Sequence, residues 1–267
     1  MKNIKLLIAY DGTSFLGWQK TPLGPTIEES LEIVLEKIFQ EKIILQAASR
    51  TDAGVHAEGQ VVNFFTKKSN LDLAKCKKSI NALLAPSIVV LKLEEACQDF
   101  HPTLDNHGKK YQYFVCNTAH QLPKHRFFSW HVPSPINLTK MRIAAKELLG
   151  EHDFSAFCNE LSSSNKNPQC TLHSIHIEEK QGQLIFTVIG DRFLFRMMRN
   201  LVGTLVYIGL GKISPQDLTQ ILESKKRANA GVTAPAHGLY LIEVFYKKSE
   251  KAILPISNIL ERESVLC

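Results

Sequence analysis

Along this chain the apolar positions switch repeatedly between a period of two and a period near 3.6. Residues 4–10 alternate and are apolar enough for a strand, and Asp11-Gly12 ends them with turn chemistry. Thr26 followed by Glu29 forms a capping box, and behind it Ile27, Leu31, Val34, Leu35, Ile38 and Phe39 recur at helical spacing. Residues 43–49 and 59–65 read as two strands, 71–84 as a second helix and 88–93 as a further strand. The order β-α-β-β-α-β is the ferredoxin-like split arrangement, whose antiparallel sheet leaves one face open.

The second half predicts a longer version of the same order. Strands over 109–116 and 127–132 precede a helix capped by Thr139 and ending at Gly150. Residues 171–179 and 183–190 form a hairpin across Gln181-Gly182, followed by a helix over 195–208, a shorter one begun by Ser214-Pro215, and a last strand over 239–247. The expected fold is therefore α+β: two ferredoxin-like, RNA-recognition-like halves with antiparallel sheets flanking a central cleft. Residues 1–103 make the first domain, 104–247 the second, and 248–267 a tail; the serine-rich stretch 159–169 reads as a flexible loop. A length of 267 residues is comfortable for two such domains.

Bulk properties narrow the class. With 44% hydrophobic and 22% charged residues the chain has the composition of an ordinary globular protein. The N-terminal apolar run is too short for a signal-peptide core. The stretch Leu201 to Leu210 falls far below the roughly 20 residues that span a bilayer. The expectation is a cytoplasmic protein without membrane contact. Six scattered cysteines, none in a Cys-x-x-Cys pair, argue against a disulfide framework and a structural zinc site. A net charge of +6, with basic groups at Lys75/Lys77/Lys78, Lys109/Lys110, Arg192/Arg196/Arg199 and Lys225/Lys226/Arg227, favours an anionic partner such as nucleic acid.

The candidate chemistry centres on Ala48-Ser49-Arg50-Thr51-Asp52-Ala53-Gly54-Val55-His56-Ala57, which joins two apolar segments. Asp-Ala-Gly is ordinary turn chemistry, yet a carboxylate there can also be held out over a site. Tyr111 and Tyr113 alternate onto one strand face beside Lys109 and Lys110, an arrangement suited to stacking an unpaired base while the charges meet phosphate. Arg196, Arg199 and Gly203 fall on one stripe of a helix, where an arginine can pair with a carboxylate such as Asp52 and glycine leaves room for another surface. Gly209-Leu210-Gly211-Lys212 lacks the first glycine and the Ser or Thr of a phosphate loop, and His173 and His176 point to opposite faces of a strand. No metal or nucleotide site stands out, and no second acid is poised as a glycosidase requires.

Ser49-Arg50-Thr51-Asp52-Ala53-Gly54-Val55-His56-Ala57 with Gly59-Gln60-Val61-Val62 resembles the signature of the pseudouridine synthases that modify positions 38–40 in the tRNA anticodon stem-loop. Further elements agree in order: Tyr10-Asp11-Gly12 through Gly17-Trp18-Gln19, Phe100-His101, Lys110-Tyr111-x-Tyr113, Asp153-Phe154-Ser155-x-Phe157, Phe195-x-Met197-Met198-Arg199-Asn200-x-Val202-Gly203 and Gly238-Leu239-Tyr240-Leu241. The resemblance implies that Asp52 is catalytic, that Arg50 helps hold the extruded nucleotide, and that Tyr111 stacks on the uracil. It further implies that Arg199 pairs with the aspartate and Leu239 lines the base pocket. It implies no metal or organic cofactor, tRNA as partner, and a homodimer. Pro102-Thr103-Leu104 stands where the family usually carries Ala-Arg-Phe. Two other functions remain to be weighed: a non-catalytic RNA-binding protein of two open sheets, and a hydrolase using Asp52 with His56.

Overall fold

Strand β1 (Lys2–Tyr10) leads to helix α1 (Ile27–Phe39), a two-residue strand β2 (Gln46–Ala47), the long β3 (His56–Thr66), helix α2 (Leu73–Leu83) and β4 (Ile88–Ala96). Strand β5 (Asn106–Cys116), the short β6 (Trp130–His131), helix α3 (Leu138–Lys146), β7 (Gly150–Asp153), the hairpin β8 (Gln169–Lys180) and β9 (Gln183–Gly190), helices α4 (Met197–Gly209) and α5 (Asp217–Ser224), and β10 (Leu239–Tyr246) complete the order. The computed structural model describes residues 1–159 and 167–246. Most of the expected loop over 159–169 and the whole tail 248–267 lie outside the described residues.

The α+β class stands, but the two expected sheets are one. Among the described residues ten strands form a single sheet, eight in the order β4-β1-β3-β10-β5-β9-β8-β7, with β2 paired to β3 and β6 to β5 off that path. The halves join where β10 runs parallel beside β3, pairing Tyr240 with His56 and Leu241 with Ala57. Gly59 makes that seam possible, because a Cβ at this position would lie 2.1 Å from the Ile242 carbonyl oxygen. On its other edge β10 pairs antiparallel with β5, setting Leu239 opposite Tyr113 and Leu241 opposite Tyr111. Strand β10 thus carries the second half up against the start of β3, immediately after the Asp52 turn.

Alternation along β1 buries Ile4, Leu6 and Ile8, and these pack with Leu31, Leu35 and Phe39 of α1 and with Val62 and Phe64 of β3. The Phe39 and Phe64 rings meet edge to face at 5.0 Å. Thr26 caps α1 as its spacing predicts, accepting from the Glu29 amide at 3.3 Å.

Three local expectations are corrected. The strand over 43–49 shrinks to Gln46–Ala47, because α1 acids take the preceding amides: Glu36 Oε1 accepts from Ile43 N at 3.3 Å and Glu32 Oε1 from Leu45 N at 3.1 Å. Asn137, not Thr139, caps α3, since its backbone is extended (φ −86, ψ 98) and its side chain accepts from Lys140 N at 3.0 Å. That helix closes at Lys146, and Gly150 with φ +93 begins β7.

Candidate active site

Asp52 is presented on the turn between β2 and β3. Val55 N donates to the Asp52 carbonyl at 3.1 Å. Gly54, third in that turn, has φ +77. A Cβ at Gly54 would make only ordinary contact, with Ala236 Cβ at 3.5 Å, so conformation rather than space demands glycine. Trp18 N donates to the Thr51 carbonyl at 3.0 Å, and the Tyr10 and Thr51 hydroxyls lie 2.8 Å apart. From β3, buried Gln60 reaches back across the loop, donating to the Ser49 carbonyl at 2.6 Å and accepting from its amide at 3.3 Å. The Gly59-Gln60 pair after the loop therefore serves twice, once at the seam and once as the loop's tether.

His56 anchors the other end of the turn and is only 1% exposed. Its Nε2 lies 3.0 Å from the Phe127 carbonyl, which can only accept, and its Nδ1 accepts from Gly12 N at 3.1 Å. Those partners assign the neutral imidazole with its proton on Nε2. The ring stacks on Tyr240 at 4.6 Å. With both nitrogens bonded to backbone groups, His56 is a structural post and no partner for Asp52, which removes the basis of the hydrolase reading.

Burial pushes the His56 pKa down, against the opposing pull of the Asp11 carboxylate 3.2 Å away. The unfolded chain therefore takes up a proton near pH 6.5 that the fold resists, so this contribution to stability is lost as pH falls through about 6.5. Between about pH 7 and 5 the wild-type melting temperature should fall more steeply than that of His56→Gln. Equal slopes in the two proteins would contradict the neutral assignment.

Opposite the turn stands the start of α4. Arg199 Nη1 donates to Asp52 Oδ2 at 2.9 Å, and Arg196 Nε lies 4.0 Å from the same oxygen. The pair is largely enclosed, with side-chain exposures of 14% for Arg199 and 19% for Asp52. Among the described residues Oδ1 accepts no hydrogen bond, so one carboxylate oxygen is anchored while the other has no donor from the protein. Arg196 and Arg199 do converge, but not as the expected helical stripe. Arg196 is the residue before the helix, in the left-handed region at φ 58, with its guanidinium 4.8 Å from the Phe195 ring centre. Nor does α4 have a wet side, since almost every position from Met197 to Gly209 is buried.

The segment 232–234 holds Arg199 from behind. Arg199 Nε donates to the Ala234 carbonyl at 2.7 Å, and Ala234 N returns a bond to the Arg199 carbonyl at 3.1 Å. Gly203 lets that segment approach, because a Cβ there would sit 1.7 Å from the Val232 carbonyl oxygen. The surface that glycine makes room for is thus the chain's own backbone. Gly203→Ala should cost about 1–3 kcal/mol of stability by overpacking. It should also lower activity beyond what unfolding explains, by displacing Ala234 from Arg199. Denaturation and turnover measured at a temperature where the variant is folded check both effects; full activity would separate Gly203 from the site.

Tyr111 is 7% exposed, and its hydroxyl lies 2.8 Å from Ser49 Oγ while Phe193 meets its ring edge-on at 4.9 Å. Burial raises its pKa to about 12, so the phenol is neutral at physiological pH and offers a ring and a proton, not a base. Tyr113 shares its strand face but is wholly buried, donating to the Pro235 carbonyl at 2.7 Å, and belongs to the core. Leu239 opens β10 opposite Tyr113 and is 6% exposed. Arg50 is exposed, two residues before Asp52, with its guanidinium unbonded among the described residues.

The structure thus brings Asp52, Arg199 and Arg196 into contact, ties Tyr111 to the loop through Ser49, and leaves Arg50 at the rim. Sequence reasoning missed Ser49, Gln60, Phe193 and Ala234. Gln60 carried a signal as a polar residue directly before the apolar pair Val61-Val62, whereas Ala234, acting through its backbone, carried none.

A model of the tRNA pseudouridine synthase family matches residues 6–103 and 144–247. A tRNA pseudouridine synthase A 2 from Protochlamydia amoebophila is 50% identical over 248 residues, covering 92% of this chain and 95% of that protein. A tRNA pseudouridine synthase A from Acetivibrio thermocellus is 41% identical over 246 residues, covering 92% and 100%. One from Myxococcus xanthus is 39% identical over 256 residues, 96% of each chain. The matched stretches hold both sides of the Asp52–Arg199 contact and the seam between β3 and β10, and with identity at this level over nearly the whole length the chain belongs to the tRNA pseudouridine synthase family.

Proposed function

We propose that this protein isomerises uridine to pseudouridine at positions 38, 39 or 40 of the tRNA anticodon stem-loop, with Asp52 as the reacting group. The observation that carries the proposal is the enclosed carboxylate bonded through one oxygen to Arg199 at 2.9 Å, on a turn at the junction of the two halves. The reaction breaks the C1′–N1 bond, turns the uracil and joins C1′ to C5. A proton leaves C5 and N1 gains one, so no electrons are exchanged with a partner. One ionised carboxylate suffices for it, acting as nucleophile at C1′, by addition at C6, or as a base at the ribose.

The substrate base must leave the stack to reach Asp52, at a cost of a few kcal/mol. Stacking on Tyr111 returns about 1–3 kcal/mol of that. Leu239 forms part of the apolar wall around the base, and Arg50 at the rim meets the backbone of the displaced nucleotide. The net charge of +6 suits the phosphate surface of tRNA. The chain acts as a homodimer, in which two basic surfaces grip the tRNA. A protein that only bound RNA would gain nothing from an acid held in its cleft, where carboxylate repels phosphate.

The test is to incubate the protein with unmodified tRNA and map pseudouridine position by position. Modification within 38–40 is the expected result. Modification confined to other positions would overturn the site assignment, and its absence from every tRNA tested would overturn the function.

A further inference from the structure

Arg227 lies outside the reacting group, yet its guanidinium is the hub of the polar network behind Arg199. Its Nη1 donates to the Gly231 carbonyl at 2.8 Å, and its Nη2 donates to Asn200 Oδ1 at 3.0 Å and to Thr233 Oγ1 at 2.8 Å. Thr233 Oγ1 in turn donates to Asn200 Oδ1 at 2.7 Å. The amide of Gly231 donates to Thr204 Oγ1 at 2.9 Å, and that hydroxyl donates to the Asn200 carbonyl at 2.8 Å. Asn200 itself is fixed by donating to the Phe157 carbonyl at 2.6 Å and to Asn159 Oδ1 at 2.7 Å.

No carboxylate faces this guanidinium among the described residues, and its Nε is buried without a partner. Desolvating a charge against neutral acceptors alone is costly. An apolar side chain would fill the space at lower cost. What a guanidinium supplies that no other side chain does is a flat fork bonding several acceptors in one plane. Here the fork joins the first turn of α4, through Asn200, to both ends of the segment 231–233, through the Gly231 carbonyl and the Thr233 hydroxyl. The next residue is Ala234, whose carbonyl receives Arg199 Nε at 2.7 Å.

We propose that Arg227 is a positioning residue for the isomerisation: by clamping segment 231–233 to Asn200 it holds the Ala234 carbonyl, and through it the Arg199 guanidinium, in register with Asp52. The inference rests on the proposed function but adds to it, because Arg227 touches neither the base nor Asp52. Lysine keeps the charge but cannot span the Gly231, Asn200 and Thr233 acceptors together, so Arg227→Lys should behave much like Arg227→Ala. Thr233→Val, which removes one acceptor without touching the charge, should give a smaller loss of the same kind.

The experiment is a double-mutant cycle read by single-turnover rate and by tRNA affinity. Arg227→Lys should slow the single-turnover rate on the order of tenfold to a hundredfold, as expected when a reacting constellation is displaced by about 1 Å. The tRNA dissociation constant should stay within about twofold. In an Arg199→Lys background, where the bond to Ala234 is already lost, Arg227→Lys should have little further effect, because two residues acting through one contact are not additive. Independent losses in the double variant, or a loss of tRNA binding with the single-turnover rate unchanged, would overturn the proposal. If Arg227→Lys does not fold, Thr233→Val is put through the same cycle. Wild-type protein without pseudouridine activity would instead refute the parent reading, an outcome distinct from either of these.

Discussion

Asp52→Asn and Asp52→Ala are expected to lose pseudouridine formation by about 10⁴-fold or more, the scale reached when an enzyme keeps its binding groups but loses a reacting one. The asparagine variant is the sharper of the two. It keeps the shape of the side chain and an oxygen that can still accept from Arg199 Nη1, so the turn and its backbone bonds to Trp18 and Val55 have no reason to change. Only the negative charge is removed. Arg199 and Arg196 then face the cleft without their counter-charge, and the site becomes more attractive to phosphate. Binding of tRNA should therefore be unchanged or tighter, while chemistry stops. Release of tritium from uridine labelled at C5, the position whose proton leaves in the reaction, measures the chemistry; filter binding measures the affinity. Residual turnover near the wild-type rate in Asp52→Ala would remove Asp52 from the reacting role, and a matching loss of binding would recast it as a structural residue.

What could be read ahead of the structure follows the range over which each feature is encoded. The Asp52 turn was legible because its determinants are contiguous: an acid, a glycine with the required positive φ two residues later, and apolar runs on both sides. The convergence of Arg199 on Asp52 was legible from the ordered motifs, although 147 residues separate them. The position of Arg196 was not, because periodicity assigns it to the helix while the backbone turns left-handed just before the first helical residue. The single sheet was hidden for a related reason. The halves join through two register pairs, Tyr240 with His56 and Leu241 with Ala57, and so short a contact leaves no pattern in either strand. The network around Arg227 is still harder to foresee, since three of its four partners are backbone carbonyls or a small hydroxyl whose role depends on the fold bringing Asn200 beside residues 230–233.

Arg199→Met should slow isomerisation by about 10²–10³-fold, less than the loss of Asp52 itself, because on the proposed roles it removes a group that orients and stabilises charge and not the reacting one. Arg196 limits the damage. At 4.0 Å from the same oxygen and with 40% of its side chain exposed, it is a weak partner in the wild type but free to move toward Oδ2 once Arg199 is gone. Arg196→Met alone should therefore cost no more than about tenfold. The double variant should lose more than the product of the two single losses, since each arginine covers for the other at one carboxylate oxygen. Arg199→Lys should fall between wild type and Arg199→Met: an ammonium can neutralise Asp52, but a single nitrogen cannot both reach Oδ2 and hold the Ala234 carbonyl as Nη1 and Nε do. Single-turnover rates for the four proteins decide the matter. Full activity in Arg199→Met would mean that the contact seen at 2.9 Å stabilises the fold alone. Losses that simply multiply in the double variant would mean that Arg196 serves the RNA and not the carboxylate.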